Sequence, residues 1–181
     1  MEKIQLETER LIIRPHEAAD FDDYFAYIMD PELQAHLGLN GVTDETSARE
    51  TFQWLRENTT FLALVSKSEH RAIGHIALHP PYDKFAEDPA YKGKNGRSLS
   101  FAIARQEQRK GLMQEALKAV IGELFSHRSI EYIDVETEPD NQACCRLQEK
   151  LGFTLWGQDR FDDTELLLRV MTREDWERRR K

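Results

Sequence analysis

The sequence predicts a mixed α/β protein built on one central mixed sheet, and three observations predict it. Strand-like runs rich in branched and aromatic residues alternate with amphipathic runs of helical period. A polar turn at residues 66–71 joins two of the strands into a hairpin. Two later strands are separated by a helix long enough to cross over between parallel neighbours. The expected sheet has six to seven strands with helices on both faces, in the order β, α, α, β, β, β, α, β, α, β, β.

Residues 8–14 read as the first strand, with Leu11 and Ile13 on one face and Ile12 on the other; Pro15, which has no amide donor, stops it. Residues 18–29 read as a helix. Residues 44–57 read as a second, with Phe52 and Leu55 inward and Thr43 or Asp44 as its cap. Residues 60–65 and 72–79 form the hairpin. Residues 80–97, with three prolines and two glycines, read as a long polar loop, and such a loop in a compact domain is either functional or mobile. The fourth strand is 98–104. A helix over 112–125 follows, its buried face marked by Met113, Ala116, Leu117, Val120, Ile121 and Leu124. The fifth strand is 130–137, the next helix 141–151, and the last two strands 153–158 and 165–171. The fourth and fifth strands should lie parallel and the hairpins antiparallel.

The 181 residues suit a single domain, 1–181, and 40% hydrophobic with 32% charged residues is an ordinary globular balance. The net charge of −8 disfavours non-specific nucleic-acid binding and suits a cationic substrate such as an amine. No apolar run approaches a membrane span, and Met1-Glu-Lys-Ile lacks a signal-peptide pattern, so the expected place is the cytoplasm, with no membrane partner. Cys144 and Cys145 are adjacent and form neither a disulfide framework nor a zinc spacing. The histidines at 16, 36, 70, 75, 79 and 127 make no ligand motif, so no metal is expected. The terminal Arg178-Arg-Arg-Lys181 reads as a solvated helix end or tail.

The stretch Gln108-Arg109-Lys110-Gly111-Leu112-Met113 carries the chemistry. It joins a strand to a helix, and the first turn of a helix offers unpaired amides at the positive end of the helix dipole. Gly111 lets backbone approach an anion closely, and Arg109 and Lys110 add charge, which together describe a grip for a pyrophosphate. The plain alternative is charge solvating a helix start.

Three motifs then carry a family resemblance over essentially the whole chain. Thr8-Glu-Arg-Leu-Ile-Ile-Arg-Pro15 is similar to the opening of the RimJ/RimL-like branch of the GNAT acyl-CoA N-acyltransferases. Gln108 to Met113, running into Gln114-Glu115-Ala116-Leu117, resembles the acyl-CoA turn of that family. Asn141-Gln-Ala-Cys-Cys-Arg-Leu-Gln-Glu-Lys-Leu-Gly-Phe153 is close to its third conserved segment. The resemblance implies the GNAT fold, with strands four and five splayed apart. It also implies an N-acetyltransferase that moves acetyl from acetyl-CoA, its cosubstrate, to a primary amine by direct transfer. By that resemblance Gln108, Arg109, Lys110, Gly111, Leu112 and Met113 hold the pyrophosphate, and Phe101, Ala102 and Ile103 hold the pantetheine. Asn141 is a helix cap, a pantetheine contact, or both.

The pattern departs at four places. Met113 stands where the family has a small residue, and Ser98 falls near a position often filled by glutamate. Gln148 replaces the tyrosine that serves as acid toward the leaving thiolate. Cys144 replaces a serine, and reads either as that acid, its thiol polarised by the helix N-terminus, or as packing, like Cys145. Glu136 and Glu138, of one parity on the fifth strand, read as the base or as a polar sheet face, and Glu136 is preferred because it lies deeper in the strand. His75 reads as structural. The implied acceptor leans to a protein or peptide N-terminal α-amine, held by about residues 30–41, the 80–97 loop and the last two strands. A small antibiotic or polyamine amine, and a non-catalytic CoA-binding module, are the alternatives. A homodimer is left open, and a Rossmann nucleotide binder is disfavoured because no GxGxxG follows an early strand.

Overall fold

The computed structural model describes residues 3–37, 41–58 and 60–179. Met1, residues 38–40 of the expected acceptor segment, and the end of the basic tail at 180–181 lie outside them. Eight strands are formed: Leu6–Glu7 (β1), Leu11–Pro15 (β2), Phe61–Ser66 (β3), Arg71–His79 (β4), Gly96–Ile103 (β5), Tyr132–Thr137 (β6), Thr154–Phe161 (β7) and Thr164–Thr172 (β8). Their order in the sheet is β1-β2-β3-β4-β5-β6-β8-β7. The helices among the described residues are Phe21–Ile28 (α1), Pro31–Leu37 (α2), Glu45–Glu57 (α3), Asp83–Glu87 (α4), Leu112–His127 (α5), Gln142–Leu151 (α6) and Arg173–Arg179 (α7). The chain divides into two compact units, Met1–Ala77 with Phe101–Ala119, and Leu78–Ser100 with Val120–Lys181.

In the first unit β1 to β4 pair antiparallel, with Ile13 opposite Leu64 and Leu62 opposite Ile76. The period of two along β2 sends Leu11 and Ile13 fully inside and leaves Ile12 half-buried. A cluster of Phe21, Tyr24, Tyr27, Ile28, Phe52 and Leu55 joins α1 to α3. Asp44 caps α3 by accepting the Ser47 amide at 2.8 Å, which settles the choice between Thr43 and Asp44.

In the second unit β6 pairs antiparallel with β8, and β7 with β8. The parallel ladder between β5 and β6 has three pairs and ends at Ser98 opposite Asp134. Both strands continue past it, to Ile103 and Thr137. Phe85, Tyr132, Leu168 and Val170 form a buried cluster flanked by Tyr82, Tyr91 and Trp156.

Three expectations change. The sheet has eight strands, because Leu6 and Glu7 pair with Ile13 and Ile12 while the chain bends at Thr8, whose amide donates to Leu11 O at 2.9 Å. Helix α2 went unread in the sequence, although Asp30 caps it by accepting the Glu32 amide at 3.0 Å and Pro31 sits where a helix tolerates proline best. The 80–97 segment is no plain loop: it holds α4, pinned by the fully buried Phe85, and the start of β5. That strand begins at Gly96 because the Tyr132 ring occupies the space a Cβ would need. Arg178 and Arg179 are the exposed end of α7, in keeping with the solvated helix end expected, and in that helix Asp175 accepts the Thr172 hydroxyl at 2.6 Å and Trp176 is buried.

Candidate active site

The expected phosphate turn lies in the first unit. After β5, residues Arg105–Glu107 make a 3-10 turn and Gln108 is extended. Arg109 (φ 61°) and Gly111 (φ 78°) then adopt the left-handed conformation from which anion-binding backbone nests are built. Helix α5 opens at Leu112, and its first bond of helical spacing runs from the Glu115 amide to Gly111 O at 3.1 Å. Leu112 and Met113 have buried side chains, so they contribute amides at the helix start and keep their bulk inside. The methionine therefore fits a position where the family has a small residue.

Ion pairs brace this turn from beneath. Buried Glu107 takes Arg71 at 2.9 Å and Lys110 at 3.0 Å. Arg105 binds Asp30 at 2.7 Å and Glu32 at 2.6 Å. Arg109 is exposed and has no carboxylate partner among the described residues, which leaves its charge for an anion. Arg10 donates to Lys110 O at 2.9 Å and pairs with Glu115 at 2.7 Å, while the Thr8 hydroxyl reaches the same carboxylate at 2.5 Å. Burial works to raise the Glu115 pKa, but the Thr8 and Arg10 bonds outweigh it and hold the carboxylate below its usual range. Two motifs about a hundred positions apart in the sequence are thus one clamp. Sequence reading treated them separately, although Thr8-Glu-Arg10 and Glu115 were both on view.

Phe101, Ala102 and Ile103 end β5, where Gly74 of β4 comes so close to Ala102 O that a Cβ there would overlap it. His75 is buried and bonded to the Tyr27 hydroxyl at 3.0 Å, in keeping with the structural reading.

Glu136, Asn141 and Cys144 lie in the second unit. Glu136 is exposed on β6, yet surrounding protein desolvates its carboxyl and raises its pKa. Glu138 does not share the strand: β6 ends at Thr137, and the Glu138 carbonyl accepts the Asn141 amide at 3.1 Å in the turn to α6. Asn141 caps that helix, its Oδ1 accepting the Cys144 amide at 3.1 Å.

Burial pushes the Cys144 thiol up, the reverse of the lowering expected from a helix N-terminus. The thiol is protonated at neutral pH, the form that can donate. Gln148 reaches Cys144 Sγ at 3.3 Å and accepts from Arg169 at 3.2 Å. Arg169, buried on β8, also pairs with Glu149 at 3.0 Å.

Sequence reading missed Asp134. It is fully buried on β6, its Oδ2 accepts the Tyr82 amide at 3.3 Å, and its Oδ1 has no partner. Burial raises its pKa to about 7, with the Glu136 charge adding to the effect and the Ser98 hydroxyl and Tyr82 amide opposing it. The available signal was its parity: Asp134 and Glu136 are two apart on one strand. Nearby, the Tyr82 hydroxyl donates to Asp159 at 2.8 Å, and Lys84 pairs with the same carboxylate. No group of three or more His, Cys, Asp or Glu among the described residues could hold a metal ion, and no helix there is long and apolar enough to cross a membrane.

Comparison with known proteins follows the same lines. Residues 10–154 match the model of the acetyltransferase (GNAT) domain. An uncharacterized N-acetyltransferase, p20 of Bacillus licheniformis, is 25% identical over 154 residues, covering 82% of this chain and 81% of that one. A GNAT-family acetyltransferase from Bacillus anthracis superposes with a TM-score of 0.79 at 19% identity, over 94% of this chain and 99% of that one. The ribosomal-protein-S5-alanine acetyltransferase of Vibrio fischeri gives 0.71 at 17% identity, over 96% and 98%.

Proposed function

The chain belongs to the GNAT acetyltransferase family and is an N-acetyltransferase that uses acetyl-CoA; on that premise we propose that its acceptor is the α-amine at the N-terminus of a protein or peptide. The observation that carries the cosubstrate assignment is the turn after β5. Left-handed Gly111 and Arg109, the open amides of α5 and one uncommitted guanidinium form a seat of the right chemistry for a diphosphate. Residues 1–181 act as one acetyltransferase domain in this reading.

The amine nitrogen attacks the thioester carbonyl carbon, and the C–S bond breaks as the new C–N bond is completed. A backbone amide at the end of β5, among Phe101, Ala102 and Ile103, donates to the thioester oxygen as it gains charge. Glu136 takes the amine proton through water, and its raised pKa makes it a better base than an ordinary glutamate. Cys144, held protonated by burial, gives its own proton to the departing thiolate and regains one from solvent after product leaves. Asn141, with Oδ1 committed to the cap, has its amide donors for the pantetheine. The lean toward an α-amine draws on the acidic groups of the second unit and on the named activity of the Vibrio fischeri neighbour.

An acceptor screen with acetyl-CoA, reading free thiol, tests this. Peptides with a free N-terminus should release thiol, and Nα-blocked copies should not. Turnover of polyamines or aminoglycosides without peptides would move the acceptor to the small-amine class. Tight CoA binding with no thiol release from any amine would leave a non-catalytic module.

A further inference from the structure

We infer that Asp134 is the buried half of a carboxylate pair with Glu136, and that the pair together receives the proton lost by the acceptor amine. This rests on Glu136 as the group facing that amine.

The strand period places both side chains on one face of β6, roughly 7 Å apart along the chain. They differ sharply in surroundings. Glu136 meets solvent, whereas Asp134 is fully buried with one carboxyl oxygen unpartnered. An orphaned buried oxygen is costly and calls for a reason. The groups facing it are the Tyr82 amide, Ser98 across the parallel ladder, Val170 across the antiparallel one, and Tyr132 and Glu136 on its own strand. Asp159 and Lys84 lie one step further, through the Tyr82 hydroxyl. No cation is among the direct contacts, and the Tyr82 amide and Ser98 hydroxyl offset only part of the cost of burying a charge on Asp134. The carboxyl holds a proton up to about pH 7.

Burial is the main cause that keeps the Asp134 proton on, and the Glu136 charge adds to it, so ionising Glu136 makes Asp134 hold its proton more tightly. The doubly ionised pair is therefore a stronger base than a lone surface glutamate, with its affinity placed near neutral pH. On attack the N–H bond of the amine breaks and an O–H bond forms on Glu136 through water. The proton then passes to Oδ1 of Asp134, which lowers the repulsion and leaves Glu136 ionised. After product departs, the proton returns to solvent by the same exposed carboxylate. Asp134 acts through Glu136, so it is a positioning residue and proton store, without contact to substrate.

Carboxyl-carbon NMR titration of the full chain, with kcat/KM against pH for the acceptor found in the screen, tests the pair. The wild type should show a carboxyl titrating near pH 7 that disappears in Asp134→Asn. Its midpoint should fall by at least half a unit in Glu136→Gln. The acidic limb of kcat/KM should move to lower pH by about a unit in Asp134→Asn, and the maximum should fall about tenfold. Absence of a near-neutral carboxyl, or a midpoint unmoved in Glu136→Gln, overturns the pair, and the second readout stands even if Asp134→Asn does not fold. A titrating pair with an unmoved rate limb overturns the proton path and leaves the acetyltransferase reading intact. No thiol release from any amine fails that reading instead.

Discussion

The first unit buries a base and the second buries an acid. His16, in the first, is enclosed with neither ring nitrogen hydrogen-bonded, Nδ1 lying 3.9 Å from the Asp20 carboxylate, and burial brings its pKa down to about 4. Asp134, in the second, is enclosed with one oxygen unpartnered and is brought up to about 7. Desolvation drives both toward the neutral form, so the same physics leaves His16 inert at neutral pH and Asp134 poised to titrate there. Several charges of the first unit are paired in place: Arg14 with Asp20, Arg105 with Asp30 and Glu32, Arg10 with Glu115, while Arg109 is left without a carboxylate partner among the described residues. The proposed proton chemistry belongs to the other unit.

Five measurements break or sharpen this contrast. Glu136→Gln should lower kcat by about a hundredfold or more with little change in acetyl-CoA affinity, a typical worth of a positioned base. An unchanged rate would remove Glu136 as the base.

Stability against pH comes next. Asp134 binds its proton more tightly folded than unfolded, so its contribution is present below about pH 4 and lost as pH rises to about 7. At pH 8 the loss is on the order of 4 kcal/mol from its shift. Asp134→Asn should therefore raise Tm at pH 8 more than at pH 5. His16 runs oppositely, the unfolded chain binding its proton first as pH falls from about 6.5 to about 4. His16→Leu should raise Tm at pH 4.5 relative to wild type more than at pH 8. Parallel shifts at both pH values for either variant would count against the burial argument.

Gly111→Pro cannot keep φ near 78° and should weaken CoA binding by roughly tenfold in calorimetry, with folding retained. Wild-type affinity would show that the turn does not hold the diphosphate. Arg109→Gln should weaken it about fivefold at low salt and less at high salt, the behaviour of one exposed charge contact. Arg105→Gln, whose cation is already committed, should have the smaller effect. Cys144→Ala should slow transfer two- to threefold; equal rates would return Cys144 to packing.

Much of the fold was legible because long periodic runs speak locally. The alternation over Leu11–Ile13 and the apolar stripe of α5 each specify one face, and both faces are buried as expected, although the first strand starts at Leu11 instead of Thr8 and runs through Pro15, and α5 extends to His127. Short elements were not legible. Helices α2 and α4 have seven and five residues, too few for a period to show, and α4 exists because Phe85 finds Trp156, Tyr91 and Tyr132. At the candidate site the phosphate turn was readable as a string of adjacent residues. Asp134 was not, since nothing in Tyr-Ile-Asp-Val-Glu-Thr says which carboxylate loses its water.

The sequence by itself determined the family and pointed to the strand–turn–helix segment proposed for the diphosphate and to the proposed base, because these depend on neighbours along the chain. Only the tertiary structure decided that Thr8 and Arg10 clasp Glu115 across about a hundred positions, that Cys144 keeps its proton, and that Asp134 is shut away from solvent. A hydrogen-bond partner distant in sequence, and the exclusion of water from a charge, are set by packing among many segments at once.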